Sequence, residues 1–305
     1  EATLEAVQRS VAAERGEPFC TRMAIIAMGR YGGFELGYGS DADVMFVHDP
    51  LPGADKETAA SMAKAAANEL RRVLSAPASD PSLEVDADLR PEGRNGPLVR
   101  TLDAYAAYYA KWSAVWEAQA LLRATPLVGD RDLCARFSEL IDPLRFPEGG
   151  LSEDDVREIR RIKARVDTER LPRGADPKTH LKLGHGGLSD IEWTVQLLQM
   201  RHAAAIAELR TTKTLEALDV AVAHELLDPA DAEALREAWL LASRARNATV
   251  QVRGRPTDQL PRDARERAAV ASMLRYAPGE SDTMINDYLR TARRAHAVVD
   301  RIFWE

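Results

Sequence analysis

Apolar and polar positions alternate with two different periods along this chain. Leu4, Val7 and Val11 recur at helical spacing near its start. Met23–Met28 is an unbroken apolar run, and after a glycine-rich stretch Asp43-Val44-Met45-Phe46-Val47 gives a second one. Runs this short and this apolar predict strands buried on both faces. Pro50-Leu51-Pro52-Gly53 closes the second, and Lys56–Ala76 predicts a helix with Met62, Ala66, Leu70 and Val73 on one face. Leu83–Leu89 alternates, with Leu83, Val85, Ala87 and Leu89 on one side and Glu84, Asp86 and Asp88 on the other, which predicts a further strand. Pro91, Gly93, Gly96 and Pro97 break it, and helices are expected over Leu102–Arg123.

From Ser152 onward only helical periods are present. Ser152 with Asp155 marks one helix start, and Asp228-Pro229 another, an N-cap followed by proline at the first helical position. A last helix opens near Ser281, with Met284, Tyr288, Ala292, Ala295, Val299 and Ile302 as its apolar stripe. Pro143, Pro147, Gly149 and Gly150 cluster where the pattern changes. The expected organisation is an α+β domain over 1–148 and an all-helical bundle domain over 149–305.

The 305 residues suffice for two domains with buried cores. Hydrophobic residues at 45% and charged residues at 29% exclude a disordered chain. No apolar run approaches the ~20 residues of a membrane helix, and the charged first fifteen positions do not read as a secretory signal. A net charge of -7 is the wrong balance for gripping nucleic acid. Cys20 and Cys134 stand far apart without a CxxC, so neither a disulfide framework nor a zinc site is expected of them. These features predict a cytoplasmic protein with no membrane and no nucleic-acid partner. The chain opens without Met, inside a helical pattern, as a piece of a longer protein would.

The candidate chemistry lies between the two apolar runs. Gly29, Gly32, Gly33, Gly37 and Gly39 let the backbone turn tightly and offer its N–H groups to phosphate oxygens. Gly39-Ser40-Asp41-Ala42-Asp43 then enters the second strand. Residues two apart share a strand face, so Asp41 and Asp43 set two carboxylates side by side. Their repulsion is relieved by a hard divalent cation, and Mg²⁺ favours carboxylate with phosphate oxygens. Asp86, from the polar face of another strand, adds a third carboxylate. Together the three acids predict a site for one or two Mg²⁺ ions and a nucleoside triphosphate.

Gly-Ser-Asp-x-Asp followed by a distant strand Asp resembles the DNA polymerase β-like nucleotidyltransferase superfamily. The longer stretch Gly29–Asp49 resembles more narrowly the glutamine synthetase adenylyltransferase family, as do Glu84–Gly93 with Gly96–Val99, Trp116–Ala124 and Lys182–Glu192. The resemblance implies a polymerase β-like palm, a small mixed sheet with helices, followed by a helical bundle. It implies transfer of AMP from ATP to a tyrosine of glutamine synthetase with release of pyrophosphate, in the control of nitrogen assimilation. Asp41, Asp43 and Asp86 would be catalytic and hold Mg²⁺. Gly29, Gly32, Gly33, Gly39, Ser40 and Arg90 would contact the nucleotide. Glutamine and the PII signalling protein are the implied regulators. The family carries two similar halves, and the Glu35-Leu36-Gly37-Tyr38 wording with His48-Asp49 resembles the C-terminal, adenylylating one. Arg30, Asp88 and His185 depart from the common pattern, and Asp88 places a second acid near Asp86. Phosphorolytic removal of AMP by the same acids, and a non-catalytic nucleotide- or regulator-binding module, are the other readings.

Weaker signals surround this core. Arg157, Arg160, Arg161, Lys163, Arg165, Arg170 and Arg173 read as a solvated helix face balanced by Glu158, Asp167 and Glu169, or as a phosphate- or protein-facing surface. Asp190 and Glu192 suit the first turn of a helix. His180 and His185 have no ligand partner at zinc spacing, so no zinc site is expected there. Trp112, Trp116, Tyr108 and Tyr109 are expected in a core.

Overall fold

A computed structural model describes residues 1–78 and 82–305. The chain divides into two compact units: residues 1–36 with 40–145, and residues 37–39 with 146–305.

The first unit is built on a five-stranded mixed sheet. Its elements are α1 (Ala2–Arg15), β1 (Thr21–Ala27), α2 (Gly29–Gly32), β2 (Ala42–Pro50), α3 (Lys56–Ser75), β3 (Val85–Asp86), β4 (Val99–Thr101), α4 (Leu102–Trp112), α5 (Val115–Leu121), β5 (Thr125–Gly129) and α6 (Arg131–Arg145). The strand order is β3-β2-β1-β5, with β4 also pairing β2. β1 runs antiparallel to β2 and β5, whereas β3 and β4 run parallel to β2. Helices cover both faces, which is why β1 and β2 read as unbroken apolar runs rather than alternating ones. On one face Met23, Ile25, Val44 and Phe46 pack with Leu4, Val7 and Val11 of α1 and Met62, Ala66 and Leu70 of α3. On the other Ala24, Ile26, Met45 and Val47 pack with Tyr105, Tyr109, Phe137 and Ile141. Each large side chain so buried contributes about 1.5–3 kcal/mol.

The architecture is the α+β one expected, with local differences. The strand foreseen over 83–89 pairs only at Val85–Asp86, because the chain turns sharply after Ala87. Val73 of α3 is exposed rather than on the core stripe. The helical stretch 102–123 is broken at Ser113–Ala114, where the Glu117 carboxylate accepts the Ala114 N–H at 2.9 Å and the Tyr108 hydroxyl at 3.0 Å. Tyr109 is buried, but Trp112 and Trp116 are exposed and belong to no core. Strand β5 carries Pro126 and Gly129, tolerable because it pairs on one side only.

His48 of β2 is 2% exposed, with Nδ1 3.1 Å from the Thr21 hydroxyl. Burial pushes its pKa below the ordinary value, outweighing the attraction of Asp49. The unfolded ring, near ~6.5, therefore takes up its proton first, so stability is full above that pH and is lost as pH falls. Burial moves His180 and His202 the same way. In His48→Gln, denaturant titrations are expected to show a shallower loss of stability as pH falls below about 6.5 than in the parent chain.

The second unit is helical: α7 (Glu153–Glu169), α8 (Leu188–His202), α9 (Thr214–Ala223), α10 (Pro229–Arg253), α11 (Ala264–Met273) and α12 (Ser281–Val299), whose last turn widens over Asp300–Trp304. Ser152 caps α7 through a reciprocal pair with Asp155, and Asp228 caps α10 ahead of Pro229. Ala238, Ala242 and Ala245 are buried along α10, as are Ala292 and Ala295 on α12. Small side chains let the backbones of these two packed helices come close, which accounts for the abundance of alanine. Among the described residues no helix is long and apolar enough to cross a membrane.

Candidate active site

Pairing of β2 with β3 sets the candidate acids beside one another. The register opposes Ala42 to Val85 and Asp43 to Asp86. Residues opposed in a ladder project to the same face, so the Asp43 and Asp86 side chains are neighbours. Both are half-buried, and Asp41 stands exposed just before β2. Like charges directly opposed destabilise a sheet, so this edge is held against a Coulombic cost.

The glycine turn meets the same edge. The Met28 N–H donates to the Asp43 carbonyl at 2.8 Å, which ties the end of β1 to the start of β2. Gly29 follows with φ +54, and a Cβ there would come within 3.0 Å of Asp43 Oδ2. Glycine thus lets the turn run against the carboxylate. Gly32 has a different role: its Cβ would lie 1.8 Å from the Arg123 carbonyl oxygen. It allows α2 to pack flush on residues 123–125, where the Thr125 hydroxyl donates to the Gly32 carbonyl at 2.8 Å. Gly33 adopts an ordinary φ of -83 as the cap of α2. Ser40 immediately precedes Asp41. Gly39, with φ +64, belongs to the second unit, where its Cβ would press on Val250 and Pro256.

Two features of the turn were not foreseen. Phe34 holds a left-handed backbone, φ 57, which costs a bulky residue about 1–2 kcal/mol, while its ring is 65% exposed. The conformation is enforced by its neighbours: Phe34 N–H donates to the Tyr31 carbonyl at 3.1 Å and Glu35 N–H to the Arg30 carbonyl at 2.8 Å. Next to it, the Glu35 carboxylate forms an ion pair with Arg123, their side chains only 8% and 5% exposed. Arg123 stands in the Trp116–Ala124 motif, and this pairing is what the motif contributes to the turn.

Beyond Asp86 the chain bends back. Asp86 Oδ1 accepts the Asp88 N–H at 2.7 Å. The Asp88 carboxylate pairs with Arg94 and lies 3.5 Å from Arg90. Asp88 is thereby neutralised by arginines, whereas Asp86 faces Asp43. Arg90 is buried, donating to the carbonyls of Ala87, Gly96 and Arg94 at 2.7, 3.2 and 3.3 Å. Its guanidinium braces the loop after Asp86.

The donors assembled at the β2–β3 edge are all oxygens, two of them opposed carboxylates. That set fits a hard divalent cation.

The weaker candidates separate. Arg157 and Arg161 pair with Asp154 and Glu158 on the solvated face of α7. Lys163 is no part of that face: it is 1% exposed and bonds Asp167 and Asp190 at 2.6 Å. His180 is buried, its Nδ1 accepting the Leu183 N–H at 3.0 Å. His185, for which short spacing offers no ligand partner, lies with its ring 4.7 Å from that of His296.

A family model described as glutamate-ammonia ligase adenylyltransferase matches residues 1–140, and one described as GlnD PII-uridylyltransferase matches residues 159–303. Among curated relatives named bifunctional glutamine synthetase adenylyltransferase/adenylyl-removing enzyme, that of Streptomyces avermitilis is 57% identical over 304 residues. The relative from Nocardia farcinica is 56% identical over 304 residues, and that from Mycobacterium tuberculosis 57% over 281. These matches cover 99%, 99% and 92% of this chain but 30%, 30% and 28% of the relatives' own lengths.

Proposed function

We propose that this chain, which belongs to the glutamine synthetase adenylyltransferase family, itself transfers AMP from ATP to a tyrosine of glutamine synthetase and releases pyrophosphate. The observation that carries this reading is the register pairing of Asp43 with Asp86 against the Gly29 turn. A sheet edge that opposes two carboxylates is suited to holding cations and the phosphates they neutralise.

In this reading Asp41, Asp43 and Asp86 hold one or two Mg²⁺ ions. When bound, the metal makes the tyrosine hydroxyl, ordinarily near pKa ~10, easier to deprotonate and offsets the charge of the departing pyrophosphate. The Gly29 turn runs against Asp43, and Ser40, just before Asp41, contacts the triphosphate. Arg90 fixes the loop that aims Asp86. The tyrosine oxygen attacks the α-phosphorus in line with the pyrophosphate: one P–O bond forms, one breaks, and the hydroxyl proton is lost. Glutamine and the PII signalling protein regulate the reaction, which takes place in the cytoplasm. The match of the helical unit to a PII-uridylyltransferase model supports placing PII among the regulators.

Removal of AMP is named among the relatives' activities and needs the same acids. A labelled-ATP assay decides between the directions. With unmodified glutamine synthetase, Mg²⁺ and ATP labelled at the α-phosphate, label is expected to enter the protein. Label released only from previously modified glutamine synthetase, in the presence of orthophosphate, would reverse the assignment.

A further inference from the structure

The helical unit brings His185 and the buried Asp190 together with His296, more than a hundred positions further on. The ligand atoms of His185, Asp190 and His296 all lie within 4.8 Å of one another. Gly186 makes this possible. It holds φ +68, and a Cβ there would sit 1.9 Å from the Ala292 carbonyl oxygen, so the turn bearing His185 lies directly on the α12 backbone one helical turn before His296. Asp190 enters from the first turn of α8, 6% exposed.

We propose that His185, Asp190 and His296 form a binding site for a divalent transition-metal ion, Zn²⁺ by its donor set, with the fourth position left to water. His296 Nδ1 lies 3.6 Å from Asp190 Oδ2. That is too long for a hydrogen bond, and Nδ1 is buried with none among the described residues. It is close to the edge of a tetrahedron of zinc ligands, about 3.4 Å for bonds of about 2.05 Å. On the far side of the ring the Asp300 carboxylate is close, its Oδ2 3.7 Å from His296 Nε2. Asp190 is steadied at both oxygens, Oδ2 accepting the Gly186 N–H at 2.7 Å and Oδ1 the Lys163 ammonium at 2.6 Å. Both oxygens keep lone pairs for a further partner.

Charge and unmet hydrogen-bonding capacity point the same way. Asp167, Asp190 and Asp300 lie about the cluster, and the Lys163 ammonium pairs with the first two. Tyr288, 3% exposed, has a buried hydroxyl without a hydrogen bond among the described residues, and it feels the Asp190 charge. The ion would clamp the 184–187 turn to α12, and its exposed edge at His185 is the route of entry.

The test uses the untagged full chain, stripped with chelator and titrated with Zn²⁺ in a calorimeter at pH 7.5, with circular dichroism recorded for every variant. One equivalent is expected to bind with a dissociation constant of about 1 μM or tighter. His185→Ala, at an exposed position, and His296→Gln are each expected to weaken it at least tenfold without changing helicity. Asp43→Asn is expected to leave it intact, which separates this ion from any at the nucleotide site. Absence of a stoichiometric equivalent, a loss smaller than tenfold in His185→Ala, or loss in Asp43→Asn would each overturn the proposal.

Discussion

Asp43→Asn is expected to lower AMP transfer by about 10³-fold or more, about 4 kcal/mol of transition-state stabilisation, while the protein stays folded. Asparagine keeps the shape of the side chain but removes the charge that opposes Asp86 across the β2–β3 ladder. Removing that charge also relieves its repulsion with Asp86, so the melting temperature of the variant is expected to stay within a few degrees of the parent's. Loss of activity with little change in stability is the signature of a residue retained for chemistry rather than folding. Asp86→Asn is expected to behave likewise. Asp88→Asn, one residue beyond Ala87, is the contrast: its carboxylate serves Arg94 and Arg90, so it should cost stability of about 1 kcal/mol and far less activity. Activity of Asp43→Asn or Asp86→Asn within tenfold of the parent, at saturating ATP and Mg²⁺, would remove the acids from the reaction.

The two strands were legible because burial on both faces leaves an unmistakable apolar run, and the acids because they interrupt such a run at its entrance. The Leu133, Phe137 and Ile141 stripe of α6 was as regular, yet it follows a strand disguised by Pro126 and Gly129. Without that strand the helix has no visible place in the fold. The role of Asp88 could not be read locally. Alternation puts Asp86 and Asp88 on one face, and only the turn after Ala87 commits one to Asp43 and the other to arginine. The His185–His296 pair was out of reach for another reason: ligand spacing is a local signal, and these rings meet through the close approach of Gly186 to a helix more than a hundred positions away. Trp112 and Trp116 show the converse, helical spacing without burial. A period reports which residues share a face, not what covers it.

Arg123→Leu is expected to destabilise the first unit by about 3–5 kcal/mol, the cost of stranding one charge of a buried pair. Glu35 and Arg123 have almost no access to water, and their ion pair holds the residue that follows the strained Phe34. Leucine takes from the buried Glu35 carboxylate the guanidinium it is paired with. For a unit of this size the loss corresponds to a fall in melting temperature of roughly 10 °C. The glycine turn leans on the same segment through Gly32 and Thr125, so its geometry should loosen before the sheet does. The Michaelis constant for ATP is therefore expected to rise below the melting transition, where the sheet is intact. Adding Glu35→Leu to Arg123→Leu removes the stranded charge and should recover most of the stability, since an apolar pair of similar volume often does as well as a buried ion pair. It should not recover ATP affinity, because two leucines in contact lack the directional bond by which the ion pair holds the turn. Thermal melts and ATP kinetics of the two single variants and the double variant separate these effects. A loss below 1 kcal/mol in Arg123→Leu, or recovery of ATP affinity in the double variant, would show that the turn is held by its backbone alone.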